Sequence, residues 1–575
     1  MTQHDGIIYW GTNNNYLCMP GYGKVATSGR EDGPYENSCW VCEYEQGARG
    51  KEVGVYGDIQ APRIFRYDTR TGFVEDITPN DTLLGYCQGL RSAATKDGVV
   101  FFGGPSIKGG SNVASGSSCF LAYSLKDRKF IGSSDMASIE GYQSTNIRRW
   151  IIVDDVLYCG VGLQDKDKNL LGGVLRWRGS EADPFNFEIV GYVASEAAEI
   201  EYHNGRIYAG TWPNTTTPGS IFCSPVIPEG GLTKANATKW DKVWDYTQYE
   251  VDPASAKISY FSVMRSYKGR LYFGMFSNTY AAVFATMSKF GSLESADALL
   301  NLFGSLRSTT LFSTTDFSDV RIEYGEKQLP YCKPGTNEWT IIDNASSYEP
   351  HFGRSGYGNI FACYTWAMCE LNDHLYIGTM DMSDLIDPAL SDLYIGKNDK
   401  SNGIQASKII RLLFGSTAAT DGYELLRLDD TEEPVKVVTD NGFGNPAAYG
   451  IRNMIVTPDN NLLVGTANPL NLHEQGGWQI LEVKEPTEGV ADIATDVKAG
   501  EIYVEQTESF VRFSTFSGAD IVSATLFDVA GNAVASAQGN GSEAVVVTYG
   551  VTPGIYVAKV VTANGIHTSK IRVGK

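Results

Sequence analysis

The chain has 575 residues, a formal net charge of −20, 62 glycines and 12% aromatic residues. An acidic surface repels a phosphate backbone, whose recognition depends on neutralisation by Lys and Arg, so nucleic acid is not an expected partner. No run of about 18 apolar residues occurs, so no transmembrane segment is expected. The length suits one large domain and a small one.

Read in chain order, a short aromatic or aliphatic strand runs into a glycine seven times: Ile8 to Gly11, Val100 to Gly103, Leu157 to Gly160, Ile207 to Gly210, Leu271 to Gly274, Leu375 to Gly378 and Leu462 to Gly465. Repetition at roughly 40 to 50 residues marks a propeller, because one small sheet cannot bury both of its faces alone. Most copies follow a further strand and a tight turn, such as Asp97-Gly98, Asn204-Gly205 or Lys268-Gly269, whose residues accept the positive φ that a two-residue hairpin needs. The repeat therefore predicts a seven-bladed β-propeller over 1–484, with these as strands A and B of each blade. Strands C and D are expected at 63–67 and 73–74, at 174–177 and 187–190, and, in the sixth copy, at 408–412 and 423–426.

After Val483 the sequence turns polar and acidic, which reads as a linker over 485–498. Alternating strands resume from 499 to 575 and predict a small immunoglobulin-like β-sandwich. Within it, Leu526-Phe527-Asp528-Val529-Ala530-Gly531-Asn532-Ala533-Val534, Pro553-Gly554-Ile555-Tyr556-Val557, Asn564-Gly565 and the closing Ser569 to Lys575 resemble the C-terminal (Por) sorting domain of Bacteroidetes type IX secretion substrates. The Tyr-Pro-Asn-Pro phrase with which that family's pattern usually begins is absent. The resemblance implies export to the cell surface or beyond, with the secretion apparatus as partner of the tail. Met1 to Asp5 enters the first strand with no apolar leader, so an exported protein would carry its signal outside this numbering. Asn441 to Pro446, Tyr449 to Met454 and Leu463 to Pro469 are similar to a repeat of secreted bacterial and archaeal propellers to which no activity is attached, and this supports fold and export only.

The ten cysteines include one Cys-x-x-Cys, Cys39 to Cys42, which without a second pair reads as a loop disulfide or free thiols before zinc. Cys159 and Cys223 lie in apolar strands and read as buried thiols. Asp165 to Asn169 alternates oxygen ligands as a calcium loop does, but Leu170 and Arg176 stand where Gly and Glu belong. No cofactor or metal is expected, with calcium at that loop the weak alternative.

Strand order sends the B-to-C and D-to-A loops to one face around the central channel, and the long variable loops are B-to-C. Binding concentrates on such loops. Just beyond strand B stand Asn13 or Asn14, Ser106, Gln164, Asn214, Asn278, Asp381 and Asn468, neighboured by Trp10, Trp212, Phe276 and Tyr280. Amides and aromatic faces suit sugar hydroxyls and apolar sugar surfaces; local turn-capping is the simpler role of each polar residue. Strand A adds Arg91, Arg148 and Arg452, which either meet an anionic ligand or pair with an acid of the next blade.

Acid–base candidates, namely Asp381, Asp384, His473 and Glu474, lie in insertions and cannot be paired by spacing. The expectation is a secreted or cell-surface propeller binding a ligand, a glycan or surface component, at the loop-rich face. The alternatives are a polysaccharide lyase or glycoside hydrolase in the same cleft, and a structural subunit of an extracellular assembly.

Overall fold

The computed structural model describes residues 1–13, 61–108, 116–214, 216–293, 295–383, 421–468, 476–483, 502–506, 509–515, 519–528, 531–563 and 565–573. Their contacts divide into two compact units, 1–484 and 485–575. Asn14, Cys18, Cys39, Cys42, Asp384, His473, Glu474, the segment 408–412 and the linker 485–498 lie outside the described residues.

In the first unit every copy of the strand–glycine phrase is the second strand of an antiparallel meander of the kind that builds propeller blades. Ala197–His203, Arg206–Thr211, Ser220–Cys223 and Asp241–Asp245 form one such four-stranded sheet. Ser259–Tyr267, Arg270–Ser277, Leu311–Thr314 and Val320–Tyr324 form the next meander, which single bridging pairs connect to those that follow, Phe276 to Tyr364 and Met380 to Gly450. The first two strands are joined by the turns read from sequence: Asp97 and Gly98 have φ of 46° and 82°, and Asn204 and Gly205 have 46° and 78°. Both residues of each turn thus lie in the left-handed region that type I′ hairpins require.

The repeated glycine marks where neighbouring sheets approach most closely. A Cβ on Gly103 would lie 2.6 Å from the Ile147 side chain, one on Gly274 2.7 Å from Thr365, and one on Gly378 2.6 Å from Ile451, each in the first strand of the next sheet. Gly465, in the last copy, meets Met1 at 3.2 Å. Ile8, Trp10 and Leu463 bury one another at the same junction, where Trp10 stacks on Phe65 with ring centroids 5.5 Å apart and meets Trp478 edge-on at 5.9 Å. The last sheet thereby packs on the first through side chains.

Three features depart from the sequence reading. In the sixth copy the strand pairing with His374–Asp381 is Leu425–Leu428, and the fourth is Lys436–Thr439. Residues 423–426 therefore belong at the third position, not the fourth; an apolar run alone does not reveal which neighbour it pairs with. The insertion after Ser277 is helical: Thr279–Phe290 is capped by Asn278 and followed by Gly291 at φ 80°, and Ala296–Ser305 is capped by Ser295. Finally, the long connections are not all B-to-C: residues 224–240 join Cys223 to Asp241, the third strand of its sheet to the fourth.

The second unit has a three-stranded sheet, Ile502–Gln506, Phe510–Thr515 and Glu543–Val547, and a four-stranded sheet, Ile521–Phe527, Ala533–Gln538, Gly554–Thr562 and Gly565–Val573. Val511, Phe513, Ala524, Leu526, Val546, Tyr556, Ala558 and Ile571 form a common core. Strict alternation supplies it: in Glu543–Val547 the burial pattern is exposed, buried, exposed, buried, exposed.

Candidate functional site

The upper rim of the first unit is the end where second strands finish and first strands begin, as the opposed pairs Ala197–Thr211, Ser259–Ser277 and Gly450–Ala467 show. Aromatic side chains follow one another along part of this rim. Trp212 meets Tyr260 edge-on at 5.1 Å between centroids, and Tyr260 meets Phe276 at 5.8 Å. Phe276 stacks on Tyr364 at 4.2 Å, Tyr364 on Trp366 at 5.3 Å, and Trp366 lies 5.9 Å from Tyr449. Trp212, Tyr260, Phe276 and Trp366 are half-buried, while Tyr364 and Tyr449 are buried. Two backbone devices seat the arc: the Trp212 indole donates to the Phe261 carbonyl at 3.1 Å, and a Cβ on Gly450 would lie 2.6 Å from the Trp366 ring.

Guanidinium groups enter the same space from opposite sides. Arg148 lies 4.3 Å over the Trp212 ring and donates to the Tyr364 hydroxyl at 2.9 Å, joining the third sheet to the sixth across the axis. Arg452 lies 5.5 Å from the Trp366 centroid and donates to the Arg91 carbonyl at 3.2 Å. Both ring contacts fall within cation–π range. Burial, then the like charges of Arg148 and Arg91, pull Arg452 down to about 10. Glu196 is the acid beside Arg148 and Arg91; burial raises its pKa, and it accepts from Asn146 at 2.6 Å.

Further along the first strands the charges balance. Arg149 lies 3.0 Å from Glu199 and 3.8 Å from Glu201, and Arg265 lies 3.7 Å from Glu201. Burial pushes Glu199 up to about 7, opposed by Arg149. Three successive sheets are thus bridged by two acids and two guanidinium groups.

Most of the polar residues read as a ring beyond strand B are held in local structure. Ser106 is fully buried and accepts from the Lys108 amide at 3.1 Å. Asn214 accepts from the Thr216 and Thr217 amides at 2.9 and 2.8 Å, and Asn278 accepts from the Ala281 amide at 3.0 Å as a helix cap. Gln164 is buried with its side-chain carbonyl oxygen lacking a hydrogen-bond partner among the described residues. Asn468 closes the last second strand and is half-buried. Arg91 stands one residue before Ser92–Lys96, while Arg148 and Arg452 lie within first strands. The Asp165 carboxylate accepts from the Asp167 and Asn169 amides at 2.8 and 2.9 Å, an Asx turn. No three His, Cys, Asp or Glu side chains converge as a metal site among the described residues.

Asp381 belongs to a buried carboxyl pair. Asn359 donates to Asp381 at 2.5 Å and also to Glu424, Thr379 binds Glu424, and the Ser383 amide donates to Asp381 at 2.6 Å. Burial, and then the neighbouring Asp381 charge, push Glu424 up to about 8. With 1% and 4% exposure the two carboxyls brace the sheet from inside.

Tyr260, Tyr364, Trp366 and Tyr449 were not legible as site residues, yet a signal exists: an aromatic stands in or beside the first turn of each first strand from the fifth copy onward. Arg149, Glu199, Glu201 and Arg265 lie at later positions of the first strands of the third to fifth copies.

No family model matches the chain, and no curated protein matches it in sequence. Among solved structures it is similar to the β-propeller domain of the trilobed protease from Pyrococcus furiosus, at 10% identity over 47% of this chain and 67% of that one, with a TM-score of 0.25. A Bacillus subtilis arabinanase matches at 9% identity over 50% and 87%, with a TM-score of 0.24. Kuenenia stuttgartiensis hydrazine synthase matches at 8% over 73% and 89%, with a TM-score of 0.32. At such overlap the fold rests on the sheet order described above.

Proposed function

We propose that the first unit is a seven-bladed propeller that binds a glycan of an extracellular or cell-surface component at its upper rim. The observation carrying this reading is the unbroken arc of six rings from Trp212 to Tyr449, four of them half-buried and therefore open to a ligand. Ring faces cover the apolar faces of sugars, and a concave aromatic site with a few convergent polar groups is the usual form of a small-molecule pocket. The blade count is supported by the glycine series, in which Gly103, Gly160, Gly210, Gly274 and Gly378 each meet the first strand of the next copy, Gly11 meets Leu90 just before it, and Gly465 meets Met1.

The unit from 485 onward is proposed as an immunoglobulin-like address domain through which the chain is exported or attached, on the sequence resemblance given above. Deleting 499–575 then leaves glycan binding intact and abolishes surface delivery in a host with the type IX apparatus. Retained delivery refutes the address role.

Binding is tested on a glycan array with Trp366→Ala and Trp212→Ala. The expected result is a defined set of bound glycans, weakened roughly tenfold by either change, as the loss of stacking on one ring costs. Equal binding by the variants places the ligand elsewhere. A reducing-end assay on the bound glycans scores cleavage, the rival activity.

A further inference from the structure

The aromatic arc has polar neighbours at its first ring. Resting on the glycan reading, we infer that the upper end of the junction between the third and fourth sheets is a hydroxyl-reading subsite, in which Glu196 and Gln164 accept hydrogen bonds from a sugar seated against Trp212.

The junction is shaped by two glycines. The third sheet consists of Gln143–Val153, Val156–Gln164, Leu170–Trp177 and Phe187–Val193, and Gly162 and Gly172 lie opposite each other in its two middle strands. Directly opposed residues share one face of a sheet, and here that face meets the entry to the fourth sheet. A Cβ on Gly172 would overlap the Ser195 carbonyl oxygen, and one on Gly162 would lie 3.4 Å from Glu196 Cγ and Oε2. Trp212 joins the same corner, its amide donating to the Glu196 carbonyl at 3.1 Å.

Two acceptors at this corner have capacity left. Asn146, in the first strand of the third sheet, donates to Glu196 Oε1 at 2.6 Å, and among the described residues Oε2 accepts no hydrogen bond. Arg148 and Arg91 favour the ionised form of Glu196 against the burial that disfavours it, and a carboxylate only accepts. Gln164 stands two residues beyond Gly162 in the same strand, so its side chain leaves from the same face. It is 5% exposed, and its carbonyl oxygen has no partner among the described residues. A buried carbonyl without a donor carries a desolvation cost that a bound donor removes. Glu196 is half-buried, so the corner opens to solvent on its side. Paired acceptors call for donors, and on a saccharide the donors are hydroxyls. The half-buried Trp212 ring, which carries Arg148 on one side, gives the apolar face of the same sugar its support.

The test uses methyl β-cellobioside, methyl β-xylobioside and methyl β-mannobioside with their monodeoxyfluoro derivatives, in which fluorine takes the place of a hydroxyl and donates no hydrogen bond. Titration calorimetry is expected to show that at least one parent glycoside binds and that fluorine costs it roughly fivefold or more at two positions. Glu196→Met should weaken the parent about tenfold and erase the penalty at one of those positions, with Glu196→Gln, which keeps a neutral acceptor, recovering part of the loss. Gln164→Met should weaken it about fivefold and erase the other penalty. A purely structural part for these residues would weaken parent and fluorinated forms alike, and that result overturns the inference. It is overturned equally if every fluorinated form binds wild type as tightly as its parent, while the glycan reading stands. If none of the three glycosides binds but the array finds other glycans, the inference again fails alone. A chain that binds no saccharide on either platform loses both readings. The wild-type series needs no variant to fold.

Discussion

The two layers of the axial interior hold their guanidinium groups in different ways. In the lower layer, Arg149 and Arg265 are matched by Glu199 and Glu201, and the four side chains tie three successive sheets together. In the upper layer, Arg148 and Arg452 lie over the indoles of Trp212 and Trp366, and Arg452 donates to the Arg91 carbonyl. Balanced charge in a buried position is an arrangement for holding a structure. A guanidinium seated on an indole is held by the ring face, and the like charges of Arg148 and Arg91 act against Arg452.

Breaking the lower layer should have the largest effect. Glu199→Leu with Glu201→Leu leaves Arg149 without its acids and removes the partner of Arg265. Removing one side of a buried pair costs on the order of 3 kcal/mol, so a matching fall in the urea midpoint is expected with ligand preference unchanged. Gly378→Ala comes next: its Cβ would press on Ile451 at 2.6 Å, and overpacking of this kind costs about 1–3 kcal/mol. That change tests whether close approach of successive sheets, and not the turn chemistry, is what the repeated glycine serves.

The upper layer should respond with the other sign. Arg452→Met removes a buried charge facing Arg148 and Arg91 while keeping a stem to pack on Trp366, so stability in the absence of ligand should hold or rise by about 1 kcal/mol. A loss as large as that of the Glu199/Glu201 variant would erase the distinction between layers.

How far these layers could be read in advance depends on what each feature needs. The strand–glycine phrase and its type I′ turns depend on neighbouring residues, so seven meanders could be placed from sequence alone. The third and fourth strands of the sixth copy were misplaced because pairing at Leu425–Leu428 is a long-range fact that an apolar run does not encode. At the rim, Arg91, Arg148 and Arg452 were visible as candidates because they recur at similar offsets. The indoles under Arg148 and Arg452 were not, since Trp212 and Trp366 reach them from other sheets. The polar ring beyond strand B shows the reverse problem: Asn214 and Asn278 have the right chemistry for a ligand and are occupied by local amides.

Titration sharpens the contrast further. Glu199 and Glu424 have folded pKa values of about 7 and 8, above the ordinary 4.5, so the folded state holds more protons than the unfolded one between those limits. Stability contributed by their protonated forms is therefore present at low pH and lost as pH rises through 7 to 8. Denaturation midpoints should fall over that window, and Glu424→Gln should flatten the upper part of the slope. A midpoint that rises from pH 5 to 8 in the wild type would contradict the assignment. The smallest effect is expected at Asn278→Ala, which removes a helix cap worth about 1 kcal/mol and should leave glycan affinity within twofold.

The most direct test of a ligand site at the rim uses the protein's own indoles. Titrating a glycan that binds on the array while following tryptophan fluorescence, with Trp212→Phe and Trp366→Phe to assign the signal, reports on the two rings that carry Arg148 and Arg452. A saturable change in wild type that is weakened about tenfold in Trp366→Ala is the predicted result. The same titration curve in both proteins, or none in wild type, would contradict a ligand site at the aromatic arc.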